Sequence, residues 1–296
     1  MSEAPQFKTP VVEPDRIEEV ADGVWVIPDA DHTLLVPNVG IVVGTRATLV
    51  IDTGFGSENA RRVLATAKRL SEDRPIYLTH THCHPEHGFG ANVIADDVTV
   101  VYNETQWDEL TEKGPILLEM FRKQIPPLAE LPDGVEFVHP ELLYTGSLTL
   151  DLGGPVAEFR EVGGAHSRGD QAILVRSSSS VLFTGDLVEE GYFGILGDSE
   201  SHVLPWIDRL DRLEQLGADT VVPGHGLLGG RDLIPMYRGY FELAKRRVAA
   251  FRADSELSED EIVEAVTQQV LDLHPDWQNK PWARKTVEDL RWPARA

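Results

Sequence analysis

The stretch Thr79-His80-Thr81-His82-Cys83-His84-Pro85-Glu86-His87-Gly88 decides the reading of this chain. Four of the ten histidines fall within its eight residues from His80 to His87. A single histidine is ordinarily a hydrogen-bonded or surface residue. Four imidazoles packed together lose solvation and repel one another on protonation, unless a cation draws on their neutral nitrogens. A divalent metal meets that need. The segment also follows the strand-like run Pro75-Ile76-Tyr77-Leu78-Thr79, so alternate residues share a face and His82 and His84 point the same way. The turn through Pro85 then brings Glu86 and His87 towards a neighbouring position. Loops at the carboxyl ends of strands are where α/β proteins place their chemistry.

Working outward, the chain upstream reads as short strands: residues 24–27, 38–43 and 47–51, separated by turn residues such as Pro28-Asp29 and Gly44-Thr45. Residues 57–70 read as an amphipathic helix, with Ser57 as N-cap and Ala60, Val63, Leu64, Ala67 and Leu70 at helical spacing. Downstream come a strand at 98–102 and a helix from Glu104 to about Gln124. That helix is expected to break at Gly114-Pro115 and to be closed by Pro126, Pro127 and Pro132. Short strands are expected at 135–138, 148–152, 157–162, 172–175 and 181–183, with the four serines 177–180 forming a hairpin turn. A helix over 204–216 and a strand at Val221-Val222 follow, then helices to the end. The organisation expected is a flexible tail over 1–16, one domain over 17–232, and a helical extension over 233–296. The extension carries Tyr237, Tyr240, Phe241, Leu243, Val248, Phe251 and the tryptophans Trp277, Trp282 and Trp292, and is expected to be structural. It would pack on the outer face of the domain or across a homodimer interface.

Composition narrows the functions. The chain has 296 residues, 27 Lys plus Arg, 49 Asp plus Glu and a formal net charge of −22, which argues against nucleic acid or an anionic membrane as partner. Its 42% hydrophobic and 26% charged residues are those of an ordinary globule. The lone Cys83 excludes an intramolecular disulfide and a Cys-rich structural zinc site. The polar start MSEAPQFKTPVVEPDR carries no apolar segment, and a cytoplasmic location is expected.

The segment His82-x-His84-x-Glu86-His87 resembles the His-x-His-x-Asp-His signature of the metallo-β-lactamase superfamily. Further landmarks follow in order: Ile51-Asp52-Thr53-Gly54, Gly164-Ala165-His166-Ser167, Phe183-Thr184-Gly185-Asp186 and Val222-Pro223-Gly224-His225-Gly226. The resemblance implies a four-layer αββα sandwich with two facing sheets. It also implies a binuclear metal site, with His82, His84 and His166 on one metal, Glu86, His87 and His225 on the second, and Asp186 between them. Thiolate-free, nitrogen-rich ligation suits zinc, two per chain, while iron or manganese would also fit. Asp52 is expected to orient a ligand histidine through its other ring nitrogen, and Asp170 to do likewise or to cap a turn. Cys83 is read as a buried spectator and His80 as a core or supporting residue. His202 is a candidate to reach the pocket. His32, His139 and His274 are read as bystanders.

The implied activity is hydrolysis by a metal-bound hydroxide, with Glu86 and Asp186 as catalytic carboxylates. No Gly-x-Ser-x-Gly elbow suggests a serine nucleophile. The substrate expected is a small ester, thioester or lactone, in a pocket lined by residues 104–132 and the Tyr192-Phe193 loop. The alternative is a mono-iron persulfide dioxygenase on the same fold. Glu86 departs from the usual Asp by one methylene. It either ligates the second metal after a backbone adjustment, leaves that site weak, or serves only as a base.

Overall fold

A computed structural model describes residues 9–72, 74–124, 133–197, 199–254 and 256–290. Twelve strands form two sheets among them. The first sheet runs in simple order: β1 (Glu18–Ala21), β2 (Val24–Ile27), β3 (Val39–Val43), β4 (Thr48–Ile51), β5 (Ile76–Thr79), β6 (Thr99–Asn103) and β7 (Leu142–Tyr144). Its β1–β4 part is antiparallel, and β4 to β7 pair in parallel. The second sheet contains β8 (Ser147–Asp151), β9 (Val156–Glu161), β10 (Gln171–Arg176), β11 (Ser180–Gly185) and β12 (Thr220–Pro223), in the order β12-β11-β10-β9-β8.

The layers follow from which faces are apolar. Val24, Val26, Leu49, Ile51, Phe159, Ile173, Phe183 and Val222 are buried together between the two sheets. Alternate residues of the first sheet, including Ile41, Val50, Leu78 and Val100, face outward and bury Val63 and Leu64 of α1 (Ser57–Ser71). They also bury Leu110 and Phe121 of α3 (Glu104–Gln124). On the opposite outer face Leu174, Leu182 and Val221 pack against α4 (Val203–Glu214), α5 (Leu233–Asp254), α6 (Glu259–Leu273) and α7 (Lys280–Asp289). The order is therefore helix, sheet, sheet, helix, because each sheet has two apolar faces to cover. Among the described residues no helix is long and apolar enough to cross a membrane.

Several local expectations are corrected. Residues 135–138 are not a strand; Phe137 instead packs against Phe89, with ring centroids 5.1 Å apart. The helix α3 runs unbroken through Gly114-Pro115. Gly114 lets the helix pass close to Phe137, where a Cβ would stand 2.5 Å from the ring's Cζ. Helix α1 begins at Ser57 itself, with Gly56 as N-cap at φ 89°. The tail expected over 1–16 is described from residue 9, and there Val12 is buried and its N–H donates to Asn59 Oδ1 at 3.0 Å. The edge strands β1 and β7 carried too short an apolar pattern to be read. Pro126, Pro127, Pro132 and Trp292 lie outside the described residues.

Candidate metal centre

Strand β5 ends at Thr79, and the loop after it runs into the one-turn helix α2 (Pro85–Gly88). This puts His82, His84, Glu86 and His87 at one end of the sandwich. The loop after β10's partner strand β9 delivers His166, the end of β11 delivers Asp186, and the turn after β12 delivers His225. Two groups of side chains result, each with ligand atoms within 4.8 Å of one another: His82, His84, His166, Asp186 and Glu86, His87, Asp186, His225. All seven residues named by the sequence pattern converge here.

Asp186 divides its oxygens between the groups. Oδ2 lies 3.9 Å from His82 Nε2 and 3.6 Å from His166 Nε2. Oδ1 lies 3.2 Å from His87 Nε2 and 3.6 Å from His225 Nε2. His166 Nε2 and His84 Nδ1 are 2.8 Å apart. Ligands on a tetrahedral cation with ~2.0–2.1 Å bonds stand about 3.3 Å from one another, so the spacing suits a small divalent ion in each half.

The second ring nitrogens are engaged, which fixes the tautomers. His87 Nδ1–H donates to Asp52 Oδ2 at 2.8 Å, His225 Nδ1–H to the Val36 carbonyl at 2.8 Å, and His166 Nδ1–H to the Ile195 carbonyl at 3.1 Å. Each turns its Nε2 inward. The fit to a metal shows in what is left over: His82 Nε2, His87 Nε2, Glu86 Oε2 and Asp186 Oδ1 are buried with no hydrogen-bond partner. Partnerless buried polar atoms are costly, and a cation would satisfy all four.

Electrostatics divide the histidines. Burial pushes the His166 imidazolium down to about 3, reinforced by His84, and holds that of His82 well below its ordinary value. Both are thus neutral donors. Burial also disfavours charge on His87, but attraction to Asp186 and Asp52 outweighs it and raises its pKa well above the ordinary value. Asp186 is opposed by burial yet held well below the usual carboxylate range by His225 and His87.

The supporting shell was only partly legible. Asp52, left-handed at φ 64°, turns its carboxylate back to accept from Thr81 N at 2.7 Å as well as from His87. Asp170 accepts from His166 N and Ser167 N, both at 2.9 Å, and so shapes the loop bearing His166. Sequence reasoning missed Asn38, whose side chain donates to the Pro223 and Gly226 carbonyls at 2.9 Å each and clamps the turn that carries His225. It missed Glu109 of α3, which accepts from Gly169 N at 2.7 Å and Arg168 N at 3.1 Å behind the His166 loop. It also missed Glu189, buried beside Tyr237 at 3.3 Å and pushed well up in pKa by burial and then by Asp186. Only the position of Glu189, three residues after Asp186, offered a signal.

Other candidates fall elsewhere. His80 packs with Tyr102 (Nδ1 to hydroxyl 2.7 Å) and Cys83 is buried. His202 pairs with Asp289 at 2.8 Å and belongs to neither donor group. Phe193 lies in the helical core, and Tyr192 sits against His225 with ring centroids 5.9 Å apart.

Comparison with known proteins fits this geometry. The profile described as the metallo-beta-lactamase superfamily matches residues 32–225. A linear primary-alkylsulfatase from Pseudomonas sp. (strain ATCC 19151) is 23% identical over 220 residues, 63% of this chain and 41% of that protein. A metallo-beta-lactamase type 2 from Bacteroides fragilis is 33% identical over 98 residues, 32% of this chain and 39% of that protein. Among solved structures, a stereoselective inverting sec-alkylsulfatase from Pseudomonas sp. superposes with a TM-score of 0.69 at 19% identity, over 92% of this chain and 49% of that one. A metallo-beta-lactamase from Pontibacter korlensis gives 0.58 at 21% identity, over 75% and 96%. The chain spans half or less of the length of the two alkylsulfatases.

Proposed function

This chain belongs to the metallo-β-lactamase superfamily, and on that premise we propose that it is a metal-dependent hydrolase that holds two zinc ions and cleaves a small ester, thioester or lactone. The observation that carries the reading is the pair of donor groups sharing Asp186, whose inward atoms have no other partner. When bound, two such cations lower the pKa of water towards neutrality and polarise a scissile carbonyl.

The chain's own residues supply the rest. Asp186 faces both halves and keeps them at one fixed separation. Glu86, on α2, presents its buried Oε2 to the second half, where it would serve as a ligand. Asp52, through His87, and the Val36 carbonyl, through His225, hold two imidazoles in a single orientation, so no reorganisation is needed as charge develops. The nitrogen-rich donor set favours zinc over harder ions. The likeness to two alkylsulfatases adds sulfate esters to the substrates worth assaying.

The test is metal analysis of the purified protein together with a panel of carboxylic esters, thioesters, lactones and sulfate esters. Two zinc per chain with turnover of one class is the expected result. One iron per chain, with dioxygen consumed on a persulfide, would replace this reading by the oxygenase.

A further inference from the structure

Residues 186–195 follow β11 and belong to no helix or named strand. Their inner side reaches three donors of the metal centre. Asp186 opens the segment, the N–H of Glu190 donates to the His225 carbonyl at 3.0 Å, and the Ile195 carbonyl accepts from His166 Nδ1 at 3.1 Å. Gly224 N donates to the Val188 carbonyl at 3.0 Å, one residue ahead of His225. One short stretch therefore supports both halves: His166 in the first, His225 in the second and Asp186 in each.

Irregular backbone has no ladder to hold it, so its position is set by what grips it. On the outer side α4 adds one bond, from Trp206 Nε1 to the Leu187 carbonyl at 2.9 Å. The rest of the grip comes from α5 and the α6–α7 loop, beyond the matched residues 32–225. The Tyr240 hydroxyl accepts from Gly194 N at 3.0 Å, and the Tyr237 hydroxyl donates to Glu189 Oε2 at 3.3 Å. Gln278 donates its N–H to the Gly191 carbonyl at 2.8 Å and accepts from Phe193 N at 3.2 Å. Phe193 is buried against Tyr240 and Trp277, with ring centroids 5.6 and 5.2 Å away. Gly194 makes the close approach possible: a Cβ there would stand 2.5 Å from the Tyr237 hydroxyl oxygen and 3.0 Å from that of Tyr240.

We infer that Tyr237, Tyr240 and Gln278 are positioning residues for the metal centre. Through residues 186–195 the C-terminal helices hold His166, Asp186 and His225 at the separations that two metal ions need. This rests on the two-metal reading above. The extension, expected from the sequence to be structural, thereby sets metal affinity in both halves, whereas Asp52 bonds to a ring of the second group only.

The experiment sets Gly194→Ala, which forces the clash, beside Gly194→Ala with Tyr237→Phe, which removes its shortest contact. Zinc affinity of each half is measured by chelator competition on folded protein, well below the thermal midpoint. Gly194→Ala should weaken both halves by roughly tenfold or more, as for groups that orient ligand histidines, and the added Tyr237→Phe should restore most of the loss. Val263→Ala is the control. It hollows the same helical core near the start of α6, and should lower the thermal midpoint while leaving both affinities as they are. Unchanged affinities in Gly194→Ala, a loss that Tyr237→Phe does not return, or an equal loss in Val263→Ala overturns the proposal. Should Gly194→Ala not fold, Tyr240→Phe decides: loss of the hydroxyl that accepts from Gly194 N should cost a few-fold in both halves, and no change overturns the proposal. Native protein that takes up fewer than two ions fails the two-metal reading itself, and this proposal with it; the variants fail the proposal alone.

Discussion

A Cβ on residue 224 would stand 1.9 Å from Asp186 Oδ1, so Gly224 is the space that the shared carboxylate occupies. The same Cβ would lie 2.8 Å from the Gly185 carbonyl carbon, so backbone as well as side chain blocks it. A glycine in the Pro223-Gly224-His225 turn therefore serves two strands at once, β11 and β12, which pair in parallel just before it.

Gly224→Ala should displace Asp186 and strip both halves of metal. Overpacking of this kind costs typically 1–3 kcal/mol, so the thermal midpoint should fall with the metal content. Gly239 provides the contrast. It lies in α5 with nothing within 4 Å of an added Cβ, and Gly239→Ala should raise stability by about 0.5–1 kcal/mol through the helix backbone alone. Thermal unfolding of both variants, with metal analysis, checks the pair. Equal behaviour would refute the steric account.

Asp52→Asn should weaken metal at the half that contains His87 by roughly 10–100-fold, the usual loss for a group that orients a ligand histidine. The other half should be spared, because Asp52 bonds to His87 and Thr81 and to no ring of the first group. Competition against a chromophoric chelator resolves the two affinities. Uniform weakening of both would mean that Asp52 acts on the fold instead.

Glu86→Gln separates the readings of the departure from the family's Asp. With Oε2 buried and partnerless beside His87 and His225, the carboxylate is expected to ligate, so the amide should cost one metal per chain and most of the turnover. Glu86→Asp should keep both. Unchanged metal content in Glu86→Gln, with a rate loss of about 10²–10⁴-fold, would make Glu86 a base beside a single ion.

Chelation should lower the thermal midpoint by several degrees, since a ligand held a thousandfold above its dissociation constant adds about 4 kcal/mol. Added zinc should restore it. The metal should also be lost on acidification, because the histidines bind only as neutral imidazoles and protons compete for the same lone pairs. A midpoint indifferent to chelator would leave the partnerless atoms of the centre unexplained.

Much of the centre was legible in one dimension because its residues are carried at strand ends, where a short motif and its spacing specify direction. His82 and His84 share a face by strand alternation, and Asp52, His166, Asp186 and His225 each sit in a landmark of a few residues. The alternating apolar strands and the 3.6-residue repeat of α1 carried the layered fold in the same way, since burial of a face is written into local period. What only the tertiary structure decided are contacts between segments far apart in the chain. Asn38 reaches the turn of His225 across more than 180 residues, and Gln278 reaches the His32 carbonyl across 246. Neither polar side chain stands out from its neighbours in sequence, because a hydrogen bond to a distant carbonyl imposes no period on the residues around it. The division of Asp186 between two halves and the burial of Glu189 are of that kind: they exist only once the two sheets have closed and the C-terminal helices have covered the outer face of the second.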